Sequence, residues 1–574
     1  MRPSLLLIPC LVLLLSVNNH AQVIDGTTLG QNAEPNPKSY STDEEHSLKF
    51  KSQTVLVQVP AVVTDKSGSH IHNLKQEDFK VLEGGKLQRI ATFEEVTPST
   101  TPLMPPSHGP GVISNVVVDS QQPRSITVIA LDLINTPFLD QTYARKALIK
   151  FLGGNLDAGQ ALALVVISRK GVKVLGSLTG DPARLVAALK EVGSEAPAMQ
   201  KIGTEAQTIS ASGGGDSDLA GPIFMKSDPA EHMRNFVLGG DAFEAGYREK
   251  NATEETMRAF LAIALSLSGV PGRKSLIWAT GGFPFRLAGG SSLPGGALSV
   301  LYERTMQALN DAQISVYPVD IRGITGTSSA EDPTVSASAA VVFGDQTANL
   351  SSLNESALDS LRTFAEMTGG RAFFNNNDAA SGFRRAADDS SSYYLLGYYL
   401  NTHNTSPGWR KLQVQVQRKD AEVRARSGFL VTNATVDPET THRADIAFAL
   451  SSPFDSSQIS VSMEFHGISP HGEKKNVGFV VHVPAVGVID EADKNRFDLD
   501  FVAQATKKDG KPVGDKGQTV KGTLPADALA KIKAEGIFYK NGLDLANGDY
   551  DVRFVVRDNL SGKIGSVTAA LTVK

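Results

Sequence analysis

His70 and His72 stand two residues apart, so on an extended strand both imidazoles share one face. Zinc needs at least three protein ligands, and no third one stands nearby, so the pair reads as solvated. The run before it, Asp65-Lys66-Ser67-Gly68-Ser69, consists of turn formers and reads as a β-turn. None of the 11 histidines sits in an H-E-x-x-H motif. No G-x-S-x-G elbow occurs, which leaves a serine hydrolase unsupported. Gly213-Gly214-Gly215 is followed by Asp216 and Ser217 and lacks the lysine of a phosphate-binding loop, so it reads as loop. The carboxylate pair Asp388-Asp389 lies in a polar context and reads as a solvated helix end. Tyr393, Tyr394, Tyr398 and Tyr399 alternate with leucines and read as sheet packing, with a carbohydrate or protein contact surface as the alternative. Cys10 is the only cysteine, and it falls in the leader, so the mature chain has no thiol chemistry and no disulfide.

These residues need elements to hold them. The chain has 574 residues, too many for one core, and units of about 100–200 residues imply three or four. Arg2 followed by apolar Leu5 to Val17 and Ala21 has the form of a secretory signal peptide over 1–21. That leader implies export to the periplasm, cell surface or medium. No later run is apolar and long enough to span a bilayer, so no transmembrane helix is expected after cleavage. The formal charge is −5 without a basic run, which argues against a nucleic-acid partner.

Residues 22–50 are polar without periodicity and read as a flexible lead-in. Residues 51–97 alternate with period two and predict an N-terminal β unit; Pro, Ser and Gly over 98–122 predict a linker. Strands then alternate with helices over 123–390. Ser125 to Asp132, Ala161 to Ser168, Lys274 to Thr280 and Ile314 to Asp320 are apolar runs suited to strands buried on both faces. Asp140 is the expected cap of the first helix. Asp181-Pro182 is a cap followed by an N1 proline. Residues 194–250 and the Gly/Ser/Ala-rich 323–354 interrupt this order as an insertion and a loop. The whole predicts a mostly parallel, three-layer α/β/α domain. A β extension follows over 391–435, and alternation such as Phe497, Leu499 and Phe501 predicts a C-terminal β-sandwich over 436–574.

Several landmarks occur together in the middle of the chain. Asp132-Leu133-Ile134-Asn135-Thr136-Pro137-Phe138 ends the first strand, and Leu178 to Pro182 follows a third expected over Val172 to Leu178, after the second at Ala161 to Ser168. Pro271 to Trp278 with Gly281-Gly282-Phe283-Pro284 forms the fourth strand and its loop, and Ile314 to Asp320 the fifth. Thr368 to Phe373, Tyr393 to Tyr398, Gly408 to Leu412 and Arg424 to Gly428 complete the series. In this order and spacing, residues 50–430 resemble a bacterial "VWFA-related" family of exported proteins built on the von Willebrand factor A fold. The resemblance implies a Rossmann-like central domain flanked by β-sandwich-like domains. It also implies a divalent cation such as Mg2+ at the carboxyl ends of the strands, held by Asp-x-Ser-x-Ser, a threonine and a further aspartate.

Laid on that pattern, Asp132 and Thr136 match metal ligands, but Ile134 replaces the first serine and Gly281 the second aspartate. Thr253 or Thr256 supplies the loop threonine. The site is therefore degenerate, and Asp132 has the alternative role of a strand-end carboxylate accepting backbone N–H bonds. Asp65-x-Ser67-x-Ser69 matches the same letters, but no helix follows it. The function implied is a non-enzymatic protein-binding or adhesion module whose partner is a protein or other envelope or extracellular macromolecule. That partner would meet loops at Asn135, Gly281, Gly282 and Phe283, where open α/β sheets place ligands. The alternatives are a structural or assembly component of the cell envelope with a vestigial A domain, and an uncharacterised hydrolase, since a carboxylate-pair glycosidase leaves no short signature.

Overall fold

A computed structural model describes residues 54–97, 108–116, 126–154, 161–193, 250–283, 297–323, 358–374, 377–401, 408–431, 438–484, 496–523 and 525–574. The expected signal peptide and lead-in, residues 194–249 with Gly213 to Gly215, and most of the 323–354 loop lie outside the described residues. The described chain is a mixed α/β protein with one largely parallel sheet and several antiparallel ones.

The parallel sheet follows from the apolar runs. Its order is Ile314–Asp320, Lys274–Thr280, Ile126–Asp132, Ala161–Ser168, Gly171–Thr179. The first four strands are parallel. The fifth returns antiparallel after Arg169-Lys170, a turn too short for a parallel crossover. Beyond Ile314–Asp320, Val319 makes a parallel bridge with Phe373. Alternate residues of each strand feed two cores. Val128, Ala130, Val165, Leu276, Trp278 and Val316 pack with helices 250–267, Ala297–Asp311 and 358–368. Ile129, Leu131, Leu164, Ile277, Tyr317 and Val319 pack with Phe138–Leu152, Pro182–Lys190 and Ala379–Asp389. Both faces of the sheet are thus covered, as strands without polar alternation require.

Helix boundaries show local chemistry. Asp181 caps Pro182–Lys190 by accepting the Ala183 N–H at 3.0 Å, as its sequence predicts. Asp140 does not cap the first helix; Pro137 holds that position and Asp140 lies in the first turn. Pro137 fits because the first N–H groups of a helix have no intrahelical partner.

The N-terminal β unit and the β extension are one unit, which corrects the expectation of two. Thr54–Thr64 pairs with Tyr393–Asn401, and Gly408–Val416 pairs with Phe79–Glu83. The two four-stranded sheets share a core of Val59, Phe79, Val81, Tyr394, Leu396, Tyr398 and Val414. Tyr393, Tyr394 and Tyr398 are buried in packing, whereas Tyr399 is exposed.

The linker also departs from expectation. Ile113–Ser114 adds a short strand to Ser462–His471 of the C-terminal unit. Asn115, nearly fully buried, donates Nδ2 to the carbonyls of Ser456 and Ile459 at 2.7 and 2.8 Å. Its Oδ1 accepts the Val461 N–H at 2.9 Å. The C-terminal unit has two four-stranded sheets around Phe479, Phe501 and Phe554. It opens, however, with a helix, Pro438–Ser451, where the sequence analysis expects only β structure, and Ala526–Glu535 is a second helix. Among the described residues no helix is long and apolar enough to cross a membrane.

Candidate binding site at the carboxyl ends of the core strands

Ile126–Asp132 and Lys274–Thr280 run side by side and deliver Asp132 and Thr280 to one end of the sheet. Asp132 is completely buried. Its Oδ1 accepts the backbone N–H groups of Ile134 and Asn135, both at 3.0 Å. Its Oδ2 accepts Asn135 Nδ2 at 2.8 Å and Trp278 Nε1 at 3.0 Å, and the Thr280 hydroxyl stands 3.1 Å away. Four N–H donors fill the roughly four lone-pair directions of a carboxylate. Burial pushes the Asp132 carboxyl above its ordinary pKa, and the donors, those of Asn135 foremost, pull the other way.

The neighbouring groups are also engaged. Asn135 Nδ2 donates its second hydrogen to Thr256 Oγ1 at 3.0 Å, and that hydroxyl donates to Ala252 O at 2.9 Å. Of the two threonines open at the sequence level, Thr256 is bonded to Asn135 of the Asp132 loop. Thr136 Oγ1 accepts the Gly281 N–H at 3.1 Å. Gln141 Nε2 donates to the carbonyls of Leu133 and Thr136, closing the loop from the helix side.

The residues do not fit a resident divalent cation. A hard cation wants about six oxygens, and the Asp132 oxygens are occupied by N–H groups. Ile134 offers no ligand. Asn135 Oδ1 is buried without a hydrogen-bond partner, and it is a single neutral oxygen. The second aspartate has no room: a Cβ on Gly281 would lie 2.7 Å from Pro137 Cδ and 2.9 Å from Asn135 O. Among the described residues no group of three or more His, Cys, Asp or Glu side chains is placed to hold a metal.

The expected contact loops are also placed differently. Asn135, Gly281, Gly282 and Phe283 are all buried. Phe283 is a core anchor, with its ring centroid 5.4 Å from Trp278 and 6.1 Å from Phe364. Among the described residues, exposed groups at this end include Pro137 and the bulky apolar pair Phe138, 53% exposed, and Leu139, 83% exposed, in the first turn of the following helix. From the sequence, Phe138 counts with the strand-end run and the helix starts at Asp140, so neither Phe138 nor Leu139 is singled out; two bulky apolar residues just after Pro137 were the signal.

The remaining candidates separate from this site. Asp65 Oδ1 accepts from Ser67 N, Ser67 Oγ and Ser69 N, which makes the run a turn. His70 Nε2 bonds Asp388 O at 2.9 Å, and His72 Nδ1 pairs with Glu95 at 2.9 Å. Asp389 is not solvated: it accepts Tyr317 Oη at 2.7 Å and pairs with Arg424. That carboxylate belongs to a buried network centred on Arg273, which donates to Ser315 Oγ, Tyr317 Oη and Gly369 O at 3.0, 2.8 and 2.7 Å. The network joins the parallel sheet to the β unit, since the Arg273 N–H donates to Tyr393 Oη at 2.8 Å.

No known family matches the chain, and no curated protein matches it either. Among solved structures, the chain is weakly similar to Bacteroides uniformis beta-glucuronidase, with a TM-score of 0.15 and 10% identity. That similarity covers 31% of this chain and 19% of the other, and so weak a likeness carries no argument about fold or activity.

Proposed function

We propose that this chain is an exported, non-enzymatic protein-binding module whose α/β unit is of the von Willebrand A type, with its degenerate metal site replaced by an internal hydrogen-bonded latch. The sheet order, its single antiparallel edge strand and the aspartate at the end of the central strand support the fold reading. Binding rests on one observation, the exposed apolar pair Phe138 and Leu139. Bulky apolar side chains held in water at the carboxyl end of an open α/β sheet suit contact with a macromolecular partner. The latch fixes the loop that leads into this pair without a cation.

A photo-crosslinking amino acid at position 139, compared with one at exposed Lys516 in the C-terminal unit, tests this in the native host. A discrete adduct from position 139 alone, unchanged by chelator, supports the proposal. Equal labelling at both positions, or none at 139, rejects it.

The interlocked units favour a second reading, a structural component of the envelope. Asp445 takes Arg557 at 2.9 Å and also pairs with Arg304, and Ser457 is hydrogen-bonded to Ser266 O and the Gly269 N–H at 2.7 and 2.8 Å. These contacts join the C-terminal unit to the α/β unit, as a load-bearing part requires.

A further inference from the structure

A small cavity lies at the seam between the α/β unit and the N-terminal β unit. It is lined by Pro60, Asn310, Gln313, Ser315, Thr368 and Arg426, among others. Its volume of about 10 Å³ admits one particle of about water size. Two of its lining residues have buried N–H groups without a partner: Asn310 Nδ2 and Arg426 Nε. Asn310 is 8% exposed. An unpaired buried donor costs about 1–3 kcal/mol, so two at one cavity are not a neutral feature.

The hydroxyls at the cavity do not meet this need. Ser315 Oγ donates to Thr368 O at 3.0 Å, and Thr368 Oγ1 donates to Phe364 O at 2.9 Å while accepting the Val316 N–H. Arg426 adds a charge. Its Nη2 donates to a neutral acceptor, Gln58 O, at 2.8 Å. No carboxylate lies within ion-pair distance of it among the described residues; Asp311 and Tyr398 act on it only at longer range. Burial pushes the guanidinium below its ordinary pKa, yet arginine stays protonated in proteins.

We infer that this cavity, widened by a small shift of the partly exposed Arg426 side chain, binds one small monovalent anion of the chloride class, held by Asn310 Nδ2 and the Arg426 guanidinium between the two units. A water molecule is the alternative occupant. The unpaired groups are both donors and one carries charge, which favours a pure acceptor with negative charge. Bound there, the anion couples the end of helix Ala297–Asp311 to the β unit, so the fit of the two units depends on halide.

The test uses the full mature chain. Crystals grown in sodium bromide are measured at the bromine edge, and melting is followed in chloride, bromide and gluconate at equal ionic strength. An anomalous peak at the cavity is expected, with a saturable rise in Tm of about 2–4 °C in either halide over gluconate. The variants Arg426→Met and Asn310→Leu should melt cooperatively and lose that halide difference. Equal Tm in all three salts with no bromine peak overturns the inference and assigns the cavity to water. A halide effect that persists in both variants places the ion elsewhere and overturns it as well.

Discussion

Trp278 Nε1 donates to Asp132 Oδ2 at 3.0 Å across 146 residues of chain. The bond joins two adjacent core strands at the carboxyl end of the sheet, and it spends a carboxylate lone pair that a metal would need. Removing the carboxylate leaves several buried donors unpaired. Asp132→Ala should therefore lower unfolding free energy by about 3–5 kcal/mol, read as a lower urea midpoint. A loss below about 1 kcal/mol would mean that the loop is held by other contacts.

Gly281 sets the second limit. Gly281→Asp restores the aspartate that the A-type pattern expects. Its Cβ meets Pro137 and the Asn135 carbonyl at 2.7 and 2.9 Å, so the loop must shift. The variant should lose about 1–3 kcal/mol and gain no Mg2+ heat in calorimetry. Stoichiometric Mg2+ binding by this variant would show that the loop opens freely.

Much of the α/β unit was legible because strands buried on both faces leave uninterrupted apolar runs. Lys274–Thr280 and Ile314–Asp320 fall at their predicted bounds for this reason. The pairing of Thr54–Thr64 with Tyr393–Asn401 was not legible, since nothing local encodes a partner some 340 residues away. Arg273 and Asp389 were missed for the same reason, because their partners converge only in the fold. Helix Pro438–Ser451 could have been found: Pro438-Glu439 carries an N1 proline and an acidic first turn. At the site, the letters Asp132, Thr136 and Gly281 gave the degenerate pattern. Only packing shows that the missing aspartate has no space and that Phe283 points into the core.

Asn115 turns the linker into a structural contact. Asn115→Ala removes three hydrogen bonds to the C-terminal unit and should cost about 1–3 kcal/mol. Hydrogen exchange should quicken at Asn115 and Val461, with the Phe479 core protected. Unchanged exchange at both positions would show that strand Ile113–Ser114 docks without this side chain.

Lys274 gives a pH signature. Burial lowers its ammonium to about 7 in the folded chain, against 10.5 for an ordinary lysine. Between those values the unfolded chain holds the extra proton, so this group raises stability as pH climbs from about 7 towards 10.5. Below about 7 the penalty of the buried charge is complete. Lys274→Met should exceed wild type by a few kcal/mol near pH 6, with the gap closing near pH 10. A gap that does not vary with pH would show that Lys274 titrates normally.

Titration calorimetry of the mature chain with Mg2+, Mn2+ and Ca2+, after chelation, tests the closed latch most directly. A satisfied Asp132 predicts no saturable heat and no change in Tm with any of the three ions. A one-to-one isotherm that vanishes in Asp132→Asn would contradict it and restore an open cation site at the end of the sheet.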